Sequence, residues 1–223
     1  MISTRPIVTT LICLALLLTG AVFAEETAAP AKPNPALLDP SLATEKAPVV
    51  YRVKMETTAG DLIIEVHREW APLGADRFYN LVKIGYFSDV AFFRVLAGFM
   101  AQAGFHGNPA VSQVWLNARI KDDPVTQTNS PGMVTFATGG PNTRSAQIFI
   151  NNGDNSYLDA SGFSPFGKVV EGFESVNELH SGYGEGEPNG KGPAQGKVYR
   201  LGNDYLKAEF PELDYITKAS IIE

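Results

Sequence analysis

Short apolar runs of strand length dominate the sequence after residue 48, and they limit the fold more than any other feature. Residues 50–67 alternate apolar and polar side chains around a turn at Ala59-Gly60-Asp61, which is typical of a β-hairpin. Further strand-like runs lie at 90–96, 99–103, 132–137, 146–151, 165–170 and 218–223. A chain with many short strands must protect the edges of its sheet, so we expect a closed antiparallel barrel.

Helical spacing is confined to a few segments. A helix is predicted over residues 72–85, because apolar side chains recur on one stripe and a proline fits its first turn. Two shorter helices are predicted at 173–180 and 203–210. Residues 104–131 are predicted to be irregular except for a short piece at 111–116. The predicted fold class is therefore mainly β.

The first 24 residues show the three parts of an export signal. Arg5 gives the positively charged N-terminal region, and residues 11–18 form an uninterrupted apolar core. Residues 22–24 have the small-x-small pattern of a cleavage site. The apolar stretch is only 17 residues long, whereas the apolar core of a bilayer is about 30 Å thick. We expect cleavage and export without stable membrane insertion, to the periplasm if the source is a double-membraned bacterium. A retained membrane anchor is the alternative.

A proline-rich stretch separates this signal from the strand-rich region. Residues 25–48 contain five prolines and no apolar period, so they are predicted to form an extended, disordered linker. Residues 49–223 remain, and 175 residues are enough for one domain with a sizeable core.

Charge and cysteine content narrow the classes of function. The chain has 18 Lys and Arg against 24 Asp and Glu, a net charge of -6 and a pI of about 5.1. Nucleic acids and anionic membranes attract basic surfaces, so this balance disfavours both partners. The single cysteine, Cys13, lies inside the predicted signal, so the mature chain is expected to form no disulfide.

Most of the common catalytic motifs are absent from the sequence. The three histidines have no H-x-x-x-H or H-x-H spacing, and no G-x-S-x-G motif is present. Residues 182–187 resemble a phosphate-binding loop, but they follow a predicted helix, and Glu185 and Glu187 would repel phosphate. We expect neither a metal nor a cofactor, and we interpret this segment as a mobile surface loop.

Arg94 is the most informative single residue. It interrupts the apolar run 92–96, and a guanidinium in the middle of a strand needs a partner or a purpose. Phe99, Met100 and Gln102 follow closely along the chain. On the residues alone, two interpretations stay open: a functional site, or barrel packing with Arg94 turned outward.

Three segments resemble the central blocks of the cyclophilin peptidyl-prolyl isomerases. They are FFRVLAGFMAQ, FATGGPNTRSAQIFI and YLDASGFSPFGKVVEGF, at residues 92–102, 136–150 and 157–173. The resemblance extends from Val53 to Ile222, and its most specific part is the G-P-N-T turn followed by A-Q-x-F. It implies a closed eight-stranded antiparallel barrel with a helix at each end, and isomerisation of X-Pro bonds.

The resemblance also implies a site. Arg94 corresponds to the catalytic arginine, and Tyr157 stands where the family usually has tryptophan. The remaining expected substrate contacts are an apolar slot for the proline ring, two amide side chains and two backbone positions: Phe99, Met100, Phe149, Leu158 and Phe163; Gln102 and Gln147; Ala137 and Thr138. The implied partners are proline-containing flexible segments, bound by a monomer.

Two other functions remain as alternatives. One is a proline-binding module or chaperone with little turnover, and the other is a scaffold whose partner binds residues 182–196. The combination of Arg94 with Gln102 favours an enzyme, because a pure binder has no need for both.

Overall fold

Nine strands form one sheet in a computed structural model that describes residues 1–2 and 32–222. The predicted export signal and the first part of the predicted linker lie outside the described residues, apart from residues 1–2. Among the described residues, no helix combines the length and apolar character needed to cross a membrane. The strands are β1 (Val50–Thr57), β2 (Leu62–His67), β3 (Val90–Ala91), β4 (Arg94–Leu96), β5 (Met100–Ala103), β6 (Met133–Phe136), β7 (Ile148–Asn151), β8 (Pro165–Glu171) and β9 (Tyr215–Ile222).

The sheet is antiparallel throughout and curls so that its two edges follow each other in the chain. The strand order is β3-β9-β1-β2-β8-β6-β7-β5-β4. Only Phe92 and Phe93 separate the two edge strands, β3 and β4. If these two strands are counted as one interrupted strand, the barrel has eight. The predicted mainly β, antiparallel barrel is confirmed, and the interruption is the difference from a regular eight-stranded sheet.

Five α-helices accompany the sheet in the described residues: α1 (Pro72–Lys83), α2 (Pro109–Asn117), α3 (Phe173–Glu178), α4 (Gln195–Leu201) and α5 (Asn203–Glu209). Helix α1 agrees with the prediction. Helix α2 is longer than the short piece predicted there, because Asn108 caps it by accepting a hydrogen bond from the Ala110 amide. Helix α4 was not predicted at all, since the glycine-rich sequence before it hides its start.

The prediction of a disordered linker is wrong for its described part. Residues 33–48 contain two 3-10 turns, Pro35–Leu37 and Pro40–Leu42. The side chains of Ala36 and Ala47 are buried in the main hydrophobic core. Proline content correctly indicated that this segment has no core of its own, but the barrel helices supply the surface on which it orders.

Hydrogen bonds fix this segment, which we call the N-terminal strap (residues 33–48), to helices α1 and α2. The Asn80 side chain accepts from the Glu45 amide at 2.9 Å and donates to the Glu45 carbonyl at 2.7 Å. The Trp115 indole N–H donates to the Leu37 carbonyl at 3.0 Å. These bonds supply partners for the buried Asn80 Oδ1 and for the indole N–H of the buried Trp115.

A buried charged cluster ties the segment after α2 to the start of α1. The Asp123 carboxylate accepts from the Leu73 and Gly74 amides at 3.0 and 2.9 Å, so it caps α1 from a distance. It also accepts from the buried Arg144 guanidinium at 3.1 Å. Arg144 follows the G-P-N-T turn, and the cluster therefore holds the loop between β6 and β7.

We expect the strap to stabilise the domain. A chain that begins at Val49 should have a free energy of unfolding lower by about 2–4 kcal/mol than one that begins at Pro33, because several hydrogen bonds are lost. Urea unfolding followed by circular dichroism measures the difference. Asn80→Ala in the chain from Pro33 should reproduce about 1–3 kcal/mol of this loss. Equal midpoints for all three chains would contradict a stabilising strap.

Candidate active site

Strand register places three chemically different side chains in one row. Arg94 of β4 is opposite Gln102 of β5, and Gln102 is opposite Phe149 of β7. Residues that are paired directly across antiparallel strands lie on the same face of the sheet. The row therefore brings a cation, an amide and an aromatic ring together on one face.

This face is the outer side of the barrel. The alternate residues of the same strands, including Val95, Ala101 and Ile150, belong to the main hydrophobic core. Met100 and Phe149 point the other way, yet only 2% and 4% of their surfaces are exposed. Loops and helices must therefore cover this apolar outer face.

A cavity of about 550 Å³ lies between this face and the covering segments. Every predicted site residue except Tyr157 lines it: Arg94, Phe99, Met100, Gln102, Ala137, Thr138, Gln147, Phe149, Leu158 and Phe163. Tyr157 lies outside the wall, 62% exposed, with its ring stacked on Phe99 at 6.5 Å between centroids. The structure thus places Tyr157 beside the cavity as a support for Phe99.

Buried asparagines hold the apolar part of the cavity. The Asn155 side chain donates to the Phe99 carbonyl at 2.7 Å, and the Asn129 side chain donates to the Phe163 carbonyl at 2.8 Å. The Phe163 ring meets the Phe149 ring edge-on at 5.7 Å between centroids. Asn129 and Asn155 were missed in the sequence, where each resembles an ordinary turn residue.

Arg94 lies against the apolar wall. Its guanidinium carbon is 5.7 Å from the centre of the Phe99 ring, and its Nη1 is 3.9 Å from the Met100 sulfur. The same Nη1 donates to Gln102 Oε1 at 3.0 Å. Of the two interpretations left open by the sequence, this geometry favours the functional site over an arginine turned away into solvent.

Glu185 is the unexpected partner of Arg94. Its carboxylate accepts from Arg94 Nε at 2.7 Å and from Nη2 at 2.6 Å, which is a bidentate ion pair. The guanidinium lowers the pKa of Glu185 below its usual value. The sequence predicted that Glu185 lies in a mobile surface loop, whereas in the structure it pairs with Arg94 of the cavity wall.

A one-way chain of hydrogen bonds starts at Arg94. Gln102 accepts from the guanidinium, so its amide nitrogen points onward and donates to Gln147 Oε1 at 2.9 Å. Gln147 in turn donates to the Tyr199 hydroxyl at 3.1 Å. Because a guanidinium only donates, it sets the orientation of both amides.

Burial raises the pKa of Tyr199, which stays neutral at physiological pH. Tyr199 was not predicted.

The loop after β6 is fixed by its own bonds. The Ala137 amide donates to the Gln147 carbonyl at 2.9 Å. The Thr138 hydroxyl bonds to Thr143 Oγ1 at 2.9 Å and to the Gly140 carbonyl. The Thr138 side chain is therefore used within the loop, and any role in binding falls to its backbone.

Taken together, the cavity can hold an apolar ring against Phe99, Met100 and Phe149, with the Arg94 guanidinium beside Phe99 and Met100. Such a site suits a ligand that has an apolar ring and a hydrogen-bond acceptor next to it.

Comparison with known proteins identifies the family. A family model described as "Cyclophilin type peptidyl-prolyl cis-trans isomerase/CLD" matches residues 52–199. This chain belongs to the cyclophilin-type peptidyl-prolyl cis–trans isomerases, as its segment resemblance predicted, and it is a peptidyl-prolyl isomerase by that membership.

Similar curated proteins carry the same description. "Peptidyl-prolyl cis-trans isomerase-like 3" of Rattus norvegicus is 33% identical over 156 residues, which cover 68% of this chain and 89% of the relative. A "Peptidyl-prolyl cis-trans isomerase" of Acinetobacter baylyi is 34% identical over 134 residues, covering 57% of this chain and 70% of the relative.

Solved structures agree with the fold. A crystal structure of a cyclophilin type peptidyl-prolyl cis-trans isomerase from Cryptosporidium parvum matches with a TM-score of 0.58 at 22% identity. The match covers 78% of this chain and 98% of that one. A second crystal structure of that protein, in the presence of the dipeptide Ala-Pro, matches with a TM-score of 0.56, again at 22% identity, and covers 77% and 99% of the two chains.

The hydrogen-bond chain yields a test. Gln102→Leu removes the acceptor of Arg94 Nη1 and the donor to Gln147, so kcat/KM for an Ala-Pro peptide should fall by about tenfold. Peptide isomerisation assays measure this fall. Gln127→Leu removes an amide outside the cavity wall and should leave the rate unchanged. If Gln102→Leu matched Gln127→Leu, the amide chain would have no part in the site.

Proposed function

We propose that the proline ring of a substrate enters the slot formed by Phe99, Met100, Phe149, Leu158 and Phe163, and that Arg94 donates a hydrogen bond to the prolyl nitrogen. One observation carries this proposal: the Arg94 guanidinium lies at the apolar wall, 5.7 Å from the Phe99 ring, inside the cavity. A donor in that position is next to the nitrogen of any ring held in the slot.

The chemistry explains why a donor and an apolar slot are sufficient. Rotation about an amide bond crosses a barrier of about 18–20 kcal/mol, because the nitrogen lone pair is delocalised into the carbonyl. The two isomers of an X-Pro bond are nearly balanced, yet they interconvert slowly. An interaction that localises the lone pair on nitrogen lowers the barrier. No bond is broken, so neither a nucleophile nor a proton shuttle is needed.

Arg94 provides this interaction selectively. The prolyl nitrogen becomes a good acceptor only when the amide is twisted, so its hydrogen bond to Arg94 is stronger in the transition state than in the ground state. A charged hydrogen bond nets about 1.5–3 kcal/mol, which corresponds to about one to two decades in rate. The remaining acceleration comes from the slot, which excludes water and strengthens the field of the guanidinium.

The other cavity residues hold the peptide while the bond turns. The Phe149 and Phe163 rings hold the proline ring of the substrate, while the carbonyl group of the residue before proline rotates. Gln102 and Gln147 present amide groups to the peptide main chain, together with the backbone at Ala137 and Thr138. Phe163 adds an aromatic ring to the wall beside Phe149, so the slot should prefer apolar flanking residues.

The substrates we propose are proline-containing flexible segments of exported proteins. The Cryptosporidium parvum relative crystallised in the presence of Ala-Pro supports a proline-containing ligand. The signal-like pattern of residues 1–24 supports export, to the periplasm in a double-membraned bacterium. The protein acts as a monomer without a cofactor.

Arg94→Ala should lower kcat/KM for a short Ala-Pro peptide by about ten- to a hundredfold, because the hydrogen bond to the twisted amide is lost. Arg94→Lys keeps the charge but loses the planar, forked donor set, so it should recover little activity. Exchange NMR on the peptide measures both. Arg200→Ala, at an exposed position on α4, is the matched control and should be as active as the unchanged protein.

Two outcomes would count against this proposal in different ways. No isomerisation above background by the unchanged protein, despite peptide binding, would show a binding module in place of an enzyme. Equal rates for the unchanged protein and Arg94→Ala would leave the activity intact and remove Arg94 from the mechanism.

A further inference from the structure

We infer that Glu185 is a positioning residue for catalysis, which holds the Arg94 guanidinium so that its unused N–H groups face the proline slot. The inference rests on the proposed role of Arg94. It gives the glycine-rich segment 182–196 a function in the proposed isomerase reaction.

The pattern of hydrogen bonds on Arg94 supports this inference. A guanidinium has five N–H groups. Glu185 takes one from Nε and one from Nη2, and Gln102 takes one from Nη1. The two that remain are on Nη1 and Nη2, and Nη1 faces the Met100 sulfur at 3.9 Å, which is a weak acceptor. Glu185, which is not among the residues that line the cavity, thus occupies the Nε edge, while the Nη1 group that is not held by Glu185 lies against Met100 of the cavity wall.

Arg94 needs such a partner because its position in the sheet leaves its side chain free to move. It is the first residue of the three-residue strand β4, at the edge of the sheet, and its side chain has several rotatable bonds. A bidentate carboxylate fixes both the place and the plane of a guanidinium. Gln102 alone holds a single nitrogen and leaves the plane free to turn.

The loop is built around Glu185. Its carboxylate oxygen Oε1 also accepts from the Gly186 amide at 2.9 Å, and its carbonyl accepts from the Gly192 amide at 2.8 Å. A side chain at Gly190 would collide with the Glu185 backbone. The glycines of this loop therefore permit the tight fold that presents Glu185 to Arg94.

The pair is partly sheltered from water. The exposed fractions of the Arg94 and Glu185 side chains are 23% and 34%. The other charged or titratable residues of the cavity wall and of segment 182–196 are Arg119, Tyr199, Tyr183, Glu187 and Lys191. Among these, only Glu187 is another carboxylate, so it is the control for any effect of acid.

The test compares Glu185→Ala and Glu185→Gln with Glu187→Gln in the otherwise unchanged protein. NMR line-shape analysis over a titration with an Ala-Pro peptide separates peptide binding from the isomerisation rate on the enzyme. We expect Glu185→Ala to lower kcat by about ten- to a hundredfold, since a displaced catalytic group loses that much, while KM stays within about twofold. Glu185→Gln, which keeps one acceptor, should fall in between. Glu187→Gln should match the unchanged protein.

A pH profile provides a readout that loop stability alone would not move. Arg94 lowers the pKa of Glu185 below its usual 4.5, so the carboxylate and the ion pair persist at neutral pH and are lost as the pH falls through that lowered value. The unchanged protein and Glu187→Gln should therefore lose kcat at low pH. Glu185→Gln should lack this acid limb, because it has no proton to gain there.

The outcomes separate this inference from the proposed function. An inactive unchanged protein would refute the proposed function. An active protein whose Glu185→Ala and Glu185→Gln variants keep full kcat would refute the positioning role only, and so would a higher kcat, which would show that Glu185 restrains Arg94. If Glu185→Ala loses its folded spectrum, Glu185→Gln decides between these outcomes alone.

Discussion

The antiparallel register of β4, β5 and β7 is the constraint on which the site depends. It places Arg94 beside Gln102 and Gln102 beside Phe149 on the outer face of the barrel. A shift of one residue in this register would turn these side chains into the core and bring Ala101 and Ile150 to the surface. The apolar packing of the barrel interior and the chemistry outside it are therefore secured by the same pairing.

An outward-facing apolar patch is a liability unless other segments cover it. Here the cover consists of segments from distant parts of the chain. Buried asparagines hold it: Asn129 donates to the Phe163 carbonyl, and Asn155 donates to the Phe99 carbonyl. Because the guanidinium only donates, it orients the amides of Gln102 and Gln147 so that the chain of hydrogen bonds ends at the Tyr199 hydroxyl. Shape and hydrogen-bond direction are thus both set before a peptide arrives, which is the condition for electrostatic stabilisation of a twisted amide.

The sequence predicted much of the fold correctly because most of its signals are local. The alternation of apolar and polar residues predicts the hairpin at 50–67, and helical spacing of apolar residues predicts helix α1. Both patterns depend only on residues that are close in sequence. The N-terminal strap was predicted as a linker because its proline content shows only that it cannot fold alone. Helix α4 was missed because the glycines ahead of it give no start signal.

By itself, the sequence determined the family, the antiparallel barrel and most residues that line the cavity around Arg94, since these lie in short segments with specific motifs. The tertiary structure alone decided that Glu185 pairs with Arg94 from 91 residues away, and that Tyr199 ends the amide chain. The physical reason is that a contact between distant residues depends on how the barrel closes and how a glycine-rich loop folds back over it. No spacing between neighbouring residues carries that information.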